Sequence, residues 1–190
     1  MDQEKASGLL DLSEYTVGEF DPGPIWKRIL WLLISGVFFE TFFPWPSAFK
    51  SSLLRLFGAD IGEGVVIKPR VQIKYPWMLS VGRHCWLGER AWIDNLASVH
   101  LGDSVVISQR AYLLTGNHNY KSPRFDLMVS PINLQSGAWV GANATVSPGV
   151  TMAELSILSV GSVLNQDTEA GGIYQGNPAV LIRQRDFGVI

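Results

Sequence analysis

Between Leu134 and Leu164 a large apolar residue recurs at every sixth position, and a small or β-branched residue follows the first five of them by four places. A period of six matches neither the 3.6-residue repeat of an α-helix nor the two-residue alternation of a single strand. It is typical of a chain wound into coils with three flat sides, each side a short strand. The pattern therefore predicts a parallel β-helix with about 18 residues per coil and roughly 4.8 Å between coils.

The same spacing of large residues begins at Ile61 and continues with interruptions. Two interruptions are steps of eight residues, from Ile73 to Val81 and from Ile93 to Leu101. Each predicts a coil in which two extra residues bulge at one corner. The repeat divides the chain into an N-terminal arm with a helical cap, a β-helix and a short C-terminal tail (residues 1–57, 58–172 and 173–190).

A third interruption is a step of 21 residues from Leu113 to Leu134. It predicts that residues 114–132 leave the coil as an inserted loop. Loops held by a rigid scaffold frequently contain functional residues. This insertion is therefore the strongest candidate for a functional site.

Upstream of the coils, residues 25–43 are predicted to form a helix that begins after Pro24 and ends before Pro44. A second short amphipathic segment follows at residues 47–57. The uncharged part of the first helix, residues 29–39, is shorter than the roughly 20 residues that span a bilayer. Two interpretations stay open. The helix plugs the open end of the β-helix, which we favour because solenoids need caps, or it lies on a membrane surface through flanking residues (Trp26, Lys27, Arg28 and Trp31).

Composition narrows the functional classes. The chain has 190 residues, typical of one domain with at most an appendage. Its net charge of −2 argues against a nucleic-acid partner, and its acidic N-terminus does not resemble a secretory signal. The single cysteine, Cys85, excludes an internal disulfide and fits a reducing cytoplasm. Because Cys85 occupies a small inward position of the repeat, we expect a packed thiol rather than a nucleophile.

The candidate chemistry lies in the inserted loop. His118 belongs to a polar segment, and an imidazole oriented by one hydrogen bond is suited to remove a proton from a hydroxyl group. An exposed loop histidine without function would fit the composition equally well. Asp94 and Asn95 favour a site, because they precede Leu113 by about one coil and should lie beside the root of the loop. A carboxylate and an amide there could bind sugar hydroxyls, although Asp-Asn pairs also commonly satisfy turn amides.

Several motifs together resemble a known family. Five of them lie in or after the inserted loop (residues 115–120, 131–132, 137–142, 148–150 and 176–179), and two lie near the first coil (residues 53–59 and 74–77). With the hexapeptide register, they resemble the hexapeptide-repeat O-acetyltransferases, which include galactoside, maltose and serine acetyltransferases. The resemblance is closest to the colanic acid biosynthesis acetyltransferase group and covers about residues 50–183.

The resemblance implies a left-handed parallel β-helix and a homotrimer with active sites between neighbouring subunits. It implies direct acetyl transfer from acetyl-CoA to a saccharide or lipid-linked saccharide of exopolysaccharide synthesis, without a metal, in the cytoplasm or at the inner face of the membrane. His118 is the expected general base. Four residues are expected to bind the acceptor (Asp94, Asn95, Asn117 and Tyr120). Six are expected on the donor side, with the Ala142 backbone N–H facing the thioester (Trp139, Ala142, Val160, Asn165, Gln166 and Arg183).

Some positions depart from the family pattern. Asn165 and Gln166 stand where many relatives have a hydroxyl residue and a lysine, and Val180 stands where a cation is common. Because CoA is highly anionic, fewer cations predict weaker donor binding. A non-catalytic trimeric scaffold is therefore one alternative. A metal hydratase of the γ-carbonic-anhydrase kind is another, since His84, His100 and His118 are spaced by about one coil and zinc sites use converging histidines.

Overall fold

In the computed structural model, which describes residues 10–186, the chain winds into a parallel β-helix of five complete coils and part of a sixth. Its strands are two or three residues long until the last coil. The first coil consists of β1 (Asp60–Ile61), β2 (Val66–Ile67) and β3 (Gln72–Ile73). The second consists of β4 (Leu79–Val81), β5 (Trp86–Leu87) and β6 (Trp92–Asp94). The third consists of β7 (Val99–Leu101), β8 (Val106–Ile107) and β9 (Tyr112–Leu114).

A hairpin interrupts the β-helix before the fourth coil. It consists of β10 (Gly116–His118) and β11 (Leu127–Val129). The fourth coil then consists of β12 (Ile132–Leu134), β13 (Trp139–Val140) and β14 (Thr145–Val146). The fifth consists of β15 (Thr151–Met152), β16 (Ile157–Leu158) and β17 (Val163–Leu164). The chain ends with β18 (Gly172–Gly176) and β19 (Ala179–Gln184).

Three parallel sheets form the sides of the prism. Sheet A contains β1, β4, β7, β12 and β15, and sheet C contains β3, β6, β9, β14 and β17. Sheet B contains β2, β5, β8, β13, β16 and β18, with β19 antiparallel at its edge. Within each coil the chain passes from sheet A to B to C. We call the turn between sheets B and C the BC corner, and the turn that leads into the next coil the CA corner.

The predicted six-residue register is confirmed by burial. The large residues at the repeat positions point inward, and Leu87, Ile107 and Leu134 are completely buried. The small positions between them are buried as well, including Ala111 and Ala144. Large side chains fill the centre while small ones allow the chain to turn beside them. This stacked core fixes the position of every corner.

Two helices lie before the first coil, α1 (Ile25–Phe38) and α2 (Ser47–Leu56). The prediction that the first helix continues to residue 43 was wrong. The Ser35 carbonyl accepts from both the Phe39 and Glu40 N–H groups at 2.9 Å, and the Ser35 hydroxyl donates to the Glu40 carboxylate. These bonds close the helix, and Phe39 turns completely into the core.

The helices lie over the open edge of the first coil. Each exposed strand edge receives one side-chain donor. Trp31 Nε1 donates to Ile73 O at 2.8 Å, and Arg55 Nε donates to Ile61 O at 2.9 Å. The buried Lys50 donates to two carbonyls of the remaining side (Ile67 O at 3.3 Å and Lys68 O at 3.0 Å).

The arm before α1 lies against the hairpin. Asp11 N donates to Pro123 O at 2.8 Å, and Leu127 N donates to Thr16 O at 3.2 Å. These bonds tie the arm to the hairpin. Within residues 10–186, no helix combines the length and the apolar character needed to cross a membrane.

Candidate active site

The imidazole of His118 is oriented by the hairpin in which it lies. Its Nδ1 atom is 3.0 Å from the Phe125 carbonyl oxygen, and the two rings stack with centroids 4.3 Å apart and planes 7° apart. A carbonyl only accepts, so a neutral imidazole in this position donates from Nδ1 and holds a lone pair on Nε2. This is the tautomer that a general base needs. The Tyr15 ring approaches the imidazole from the arm, with centroids 5.8 Å apart.

Asn117 and Tyr120, the two loop residues expected to bind the acceptor, lie in different environments. Asn117 uses its side-chain oxygen to accept from the His118 N–H at 2.8 Å, which stiffens the hairpin at the histidine. The Tyr120 side chain is 79% exposed, with the Lys121 ammonium 5.9 Å from its ring centroid. Within residues 10–186, Asn117 therefore stabilises the hairpin backbone at His118, whereas Tyr120 lies at the exposed tip of the hairpin.

Asp94 lies beside the root of the hairpin, as its one-coil spacing predicted. β6 pairs with β9 so that Asp94 is opposite Leu114, and the Asp94 carbonyl accepts from the Thr115 hydroxyl at 2.9 Å. Its nearly buried carboxylate forms an ion pair with the Lys74 ammonium at 2.8 Å and accepts a hydrogen bond from the Tyr112 hydroxyl at 3.2 Å. Burial is the main reason, and the adjacent carboxylate the second, that the pKa of Tyr112 is raised to about 12.

Asn95 does not have the position expected of an acceptor-binding residue. Its side chain is completely buried. Its oxygen accepts from Tyr75 N at 3.0 Å and its nitrogen donates to Tyr75 O at 2.6 Å. Both polar groups are thus used to fasten one bulged corner to the next. This corrects the acceptor-binding expectation, and the turn-amide interpretation applies instead.

A cavity of about 420 Å³ lies between α1 and the outer surface of sheet C. Trp92 forms one wall and stacks on Tyr112, with centroids 4.6 Å apart and planes 17° apart. The rest of the lining is mixed: apolar side chains of α1 and sheet C (Ile25, Ile29, Leu32 and Ile73 among them) stand beside polar and charged ones (Arg28, Ser35, Glu40, Gln72 and Lys74). An aromatic surface beside convergent polar groups suits a hydroxyl-rich ligand. Because Lys74 also contacts Asp94, the cavity and the Asp94 carboxylate belong to one polar region.

The predicted donor-side residues lie mainly on sheet B and at the BC corner. Trp139 is partly exposed on the outer surface of sheet B, where its Nε1 donates to Ser108 Oγ at 2.8 Å. Ala142 and Val160 follow at the same corner one coil apart, linked by the bond from Gly161 N to Ala142 O. In the described part of the chain no backbone carbonyl accepts from the Ala142 N–H. That N–H can therefore stabilise an oxyanion.

The remaining donor-side residues lie towards the C-terminal end. Asn165 and Gln166 follow β17 at the CA corner, two coils beyond the hairpin, and Gln166 Nε2 donates to Ala179 O at 3.2 Å. Arg183 lies on β19 opposite Ile173 and is exposed.

One chain does not bring the two halves of the predicted site together. The hairpin with His118 leaves the CA corner, beside Asp94. Trp139, Ala142 and Val160 lie on sheet B and at the BC corner. Sheet C separates these corners within each coil.

The histidines do not form the stacked set that a metal hydratase requires. His84 lies in the turn between sheets A and B, with φ of 57°, and His100 lies on the outer surface of sheet A opposite Ser80 and Asn133. Among residues 10–186 there is no group of three histidine, cysteine, aspartate or glutamate side chains that could hold a metal ion. Cys85 is completely buried, and burial raises the pKa of its thiol. The expectation of a packed cysteine is confirmed.

Sequence reasoning missed four residues of the CA-corner region. Phe125 orients His118, and Lys74 and Tyr112 engage Asp94, while Trp92 forms the cavity wall. Three of these could have been found. Trp92 and Tyr112 are paired one coil apart, and Lys74 follows β3 where Asp94 ends β6. The contact with Phe125 depends on the fold of the hairpin and left no periodic signal.

Comparisons with known proteins identify relatives of this chain. No family model matches the chain. It is 36% identical over 182 residues to the "Putative colanic acid biosynthesis acetyltransferase WcaF" of Escherichia coli (strain K12), covering 93% of this chain and 98% of that protein. It is also 26% identical over 138 residues to the galactoside O-acetyltransferase of the same organism, covering 71% of this chain and 68% of that protein.

Solved structures share the fold. A hexapeptide-repeat acetyltransferase of Vibrio cholerae complexed with acetyl coenzyme A superposes with a TM-score of 0.79 at 21% identity, covering 90% of this chain and 94% of that one. A galactoside acetyltransferase in complex with coenzyme A gives a TM-score of 0.74 at 22% identity, covering 84% and 81%.

Proposed function

The chain belongs to the family of hexapeptide-repeat acetyltransferases, and from that premise we propose that it transfers an acetyl group from acetyl-CoA to a saccharide hydroxyl with His118 as general base. One observation supports this proposal most strongly. The Phe125 carbonyl fixes the Nδ1–H tautomer of His118 and leaves Nε2 able to accept a proton.

The reaction is a direct transfer. His118 Nε2 accepts the proton of the acceptor hydroxyl while that oxygen attacks the thioester carbonyl carbon. The Ala142 N–H stabilises the negative charge that develops on the thioester oxygen. The carbon–sulfur bond then breaks, and the CoA thiolate receives the proton from the imidazolium. The Phe125 carbonyl supports the imidazolium, because that cation still donates from Nδ1.

We propose a saccharide, free or lipid-linked, as the acceptor. The cavity between α1 and sheet C supports this class, since Trp92 offers an aromatic surface and Arg28, Glu40 and Gln72 offer hydrogen-bonding groups. Asp94 lies in the same polar region, next to the hairpin. The relative named for colanic acid biosynthesis points to exopolysaccharide synthesis as the setting. We place the reaction in the cytoplasm, where acetyl-CoA is available.

The donor would lie along the BC corner, and its site would be shared between subunits of a homotrimer. Support comes from the separation of His118 from Ala142 and Val160, which lie on different corners of one chain. A neighbouring copy that turns its BC corner towards the hairpin would complete the site. Arg183 would meet an anionic part of CoA, whereas Asn165 and Gln166 contribute no charge there.

The direct test follows CoA release from acetyl-CoA with a panel of mono- and oligosaccharides. We expect His118→Ala to lower the rate by about 10²–10⁴-fold, and His100→Ala, an exposed histidine on sheet A, to leave it unchanged. Equal rates for His118→Ala and the parent would refute the mechanism. Absence of any calorimetric signal with CoA would favour the scaffold alternative.

A mixing experiment tests the shared site separately. His118→Ala chains and Ala142→Trp chains are each expected to be inactive. Co-assembled in equal amounts, they restore about a quarter of the sites if each site takes one half from each neighbour. A mixture as inactive as its components would show that a single chain supplies both halves.

A further inference from the structure

The outward side of α1 is apolar along its whole length and is not covered by the described chain. Trp31 and Ser35 mark the side buried against the β-helix. Eight residues point away from it at helical spacing, none with a charged side chain (Ile25, Trp26, Ile29, Leu30, Leu32, Leu33, Gly36 and Val37). The large ones among them are between 44% and 67% exposed. An uncovered apolar surface of this extent marks a docking site.

The apolar surface continues beyond the helix. The turn after α1 exposes Phe42 to 77% and Phe43 to 54%, and α2 exposes Leu56 to 78%. Aromatic contacts connect these parts, since the rings of Phe43 and Trp45 lie 4.7 Å apart and those of Phe38 and Trp45 lie 5.0 Å apart. We call residues 25–56 the cap. Aromatic side chains at an exposed apolar surface are typical of proteins that meet the lipid–water interface.

Positive charges surround this surface. Within residues 22–59 Glu40 is the only acidic residue, and three of the four cations, Lys27, Arg28 and Arg55, are at least partly exposed, whereas Lys50 is buried. Lys27 lies at the flank of α1, with its ammonium 4.5 Å from the Trp77 ring centroid. Beyond the cap, the Arg70 guanidinium lies 5.4 Å from the ring of the exposed Phe42. Cations at the edge of an apolar surface complement anionic lipid headgroups.

We propose that the cap docks on an anionic lipid bilayer, with α1 lying in the plane of the interface and its apolar side in the lipid. A second protein surface is the less suitable occupant. Protein interfaces contain about one hydrogen bond per 100–200 Å² and a polar rim, whereas the outward side of α1 offers only the Trp26 indole as a side-chain donor. A helix of 14 residues is too short to span a bilayer, and its length suits a position in the plane of the lipid–water interface.

Docking would set the height of the catalytic hairpin. The hairpin leaves the third coil, two coil spacings from the first, or roughly 10 Å along the axis. An acceptor saccharide anchored in the same bilayer would then present its hydroxyls at about the level of His118. This consequence rests on the proposed acetyl transfer, whereas docking itself does not.

The test is flotation of the full-length protein with vesicles in a density gradient. Vesicles of phosphatidylcholine mixed with phosphatidylglycerol are compared with vesicles of phosphatidylcholine alone, at low and high salt. We expect flotation with the anionic vesicles, less with the neutral ones, and a decrease at high salt. The double variant Leu33→Glu, Val37→Glu, at two outward positions of α1 that do not line the cavity, should reduce the bound fraction at least about tenfold.

Two controls keep the experiment decisive. Both altered side chains are more than half exposed, so far-ultraviolet circular dichroism should match the parent. The double variant Val180→Glu, Ile182→Glu introduces the same two charges at similarly exposed positions on β19, at the opposite end of the prism, and should float like the parent. CoA release with a soluble acceptor should be unchanged in the double variant of α1, so loss of docking is distinguishable from loss of transfer.

Two results would overturn the proposal. Either the parent protein fails to float with anionic vesicles, or the double variant of α1 floats as well as the parent. If the parent does not float and light scattering shows a smaller assembly for the double variant of α1, this surface belongs to contacts between copies of the chain.

Discussion

The Nδ1 atom of His118 lies 3.0 Å from the Phe125 carbonyl oxygen in a turn where Phe125 has a φ of 54°. Bulky L-residues rarely adopt this left-handed region, which costs roughly 1–2 kcal/mol. This backbone strain at Phe125 is linked to function, because the strained conformation accompanies a carbonyl oxygen that points at the imidazole of His118. The Asp126 carboxylate supports the turn by accepting from Ser122 Oγ at 2.9 Å.

Phe125 is therefore a positioning residue, and removing its ring should loosen the imidazole. We expect Phe125→Ala to lower kcat between about tenfold and 10²-fold, because small misplacements of a reacting group have effects of this size. The KM for acetyl-CoA should change little. Steady-state kinetics measure kcat and the KM for acetyl-CoA, and the pH profile of kcat/KM is recorded alongside. Phe42→Ala, an exposed phenylalanine of the cap, is the matched control, and a kcat equal to the parent for Phe125→Ala would contradict the assignment.

Tyr112 should titrate near its raised pKa of about 12, rather than the usual 10. Between these values the folded chain retains a proton that the unfolded chain has released, so stability falls as the pH rises from about 10 to about 12. The ultraviolet absorbance of phenolates, taken as parent minus Tyr112→Phe, isolates this group. Asp94→Asn removes the neighbouring charge but not the burial, so it should lower the midpoint without restoring 10. A parent midpoint near 10 would contradict the raised pKa as a whole, and an unchanged midpoint in Asp94→Asn would disprove the contribution of the Asp94 contact.

The fold could be predicted because a β-helix has a strict relation between period and geometry. Every inward position of the prism must be filled. The six-residue spacing of buried residues such as Leu101 and Leu158 therefore indicates which sheet each one belongs to. Helix ends lack such a constraint. The end of α1 at Phe38 rather than at residue 43 depends on the Ser35 carbonyl, which accepts from two N–H groups. Neither periodicity nor proline position indicates that arrangement.

The candidate site could be predicted only where it follows the coil register. Asp94 was correctly expected beside the hairpin root, since one coil separates it from Leu114. The contact of Phe125 with His118 escaped prediction because a polar hairpin offers no apolar alternation that would fix its register. Asn95 was misassigned, since nothing in its spacing distinguishes a free amide from one bound to Tyr75.

Lys50 should be a large contributor to the stability of the first coil. It is completely buried, and burial lowers the pKa of its ammonium. Lys50→Met leaves the Ile67 and Lys68 carbonyls without this donor, while it relieves a buried charge. We expect a net loss of about 1–3 kcal/mol in the free energy of unfolding. Urea unfolding at one fixed protein concentration measures it. The exposed Lys68→Met should change stability by less than about 0.5 kcal/mol, and similar curves for both variants would rule out the capping role.

Gln166→Lys should strengthen CoA binding if the donor passes the C-terminal part of the CA corner. A lysine can still donate to the Ala179 carbonyl, which accepts from Gln166 Nε2 at 3.2 Å, and adds a positive charge towards the CoA phosphates. We expect the Kd for CoA to fall about five- to tenfold in low salt, with a smaller effect in high salt. Isothermal titration calorimetry measures the Kd for CoA at each salt concentration. Gln166→Met removes the donor without adding charge and should not tighten binding. An unchanged Kd for Gln166→Lys would place the CoA phosphates elsewhere, whereas no heat from either the parent or this variant would favour a scaffold over an enzyme.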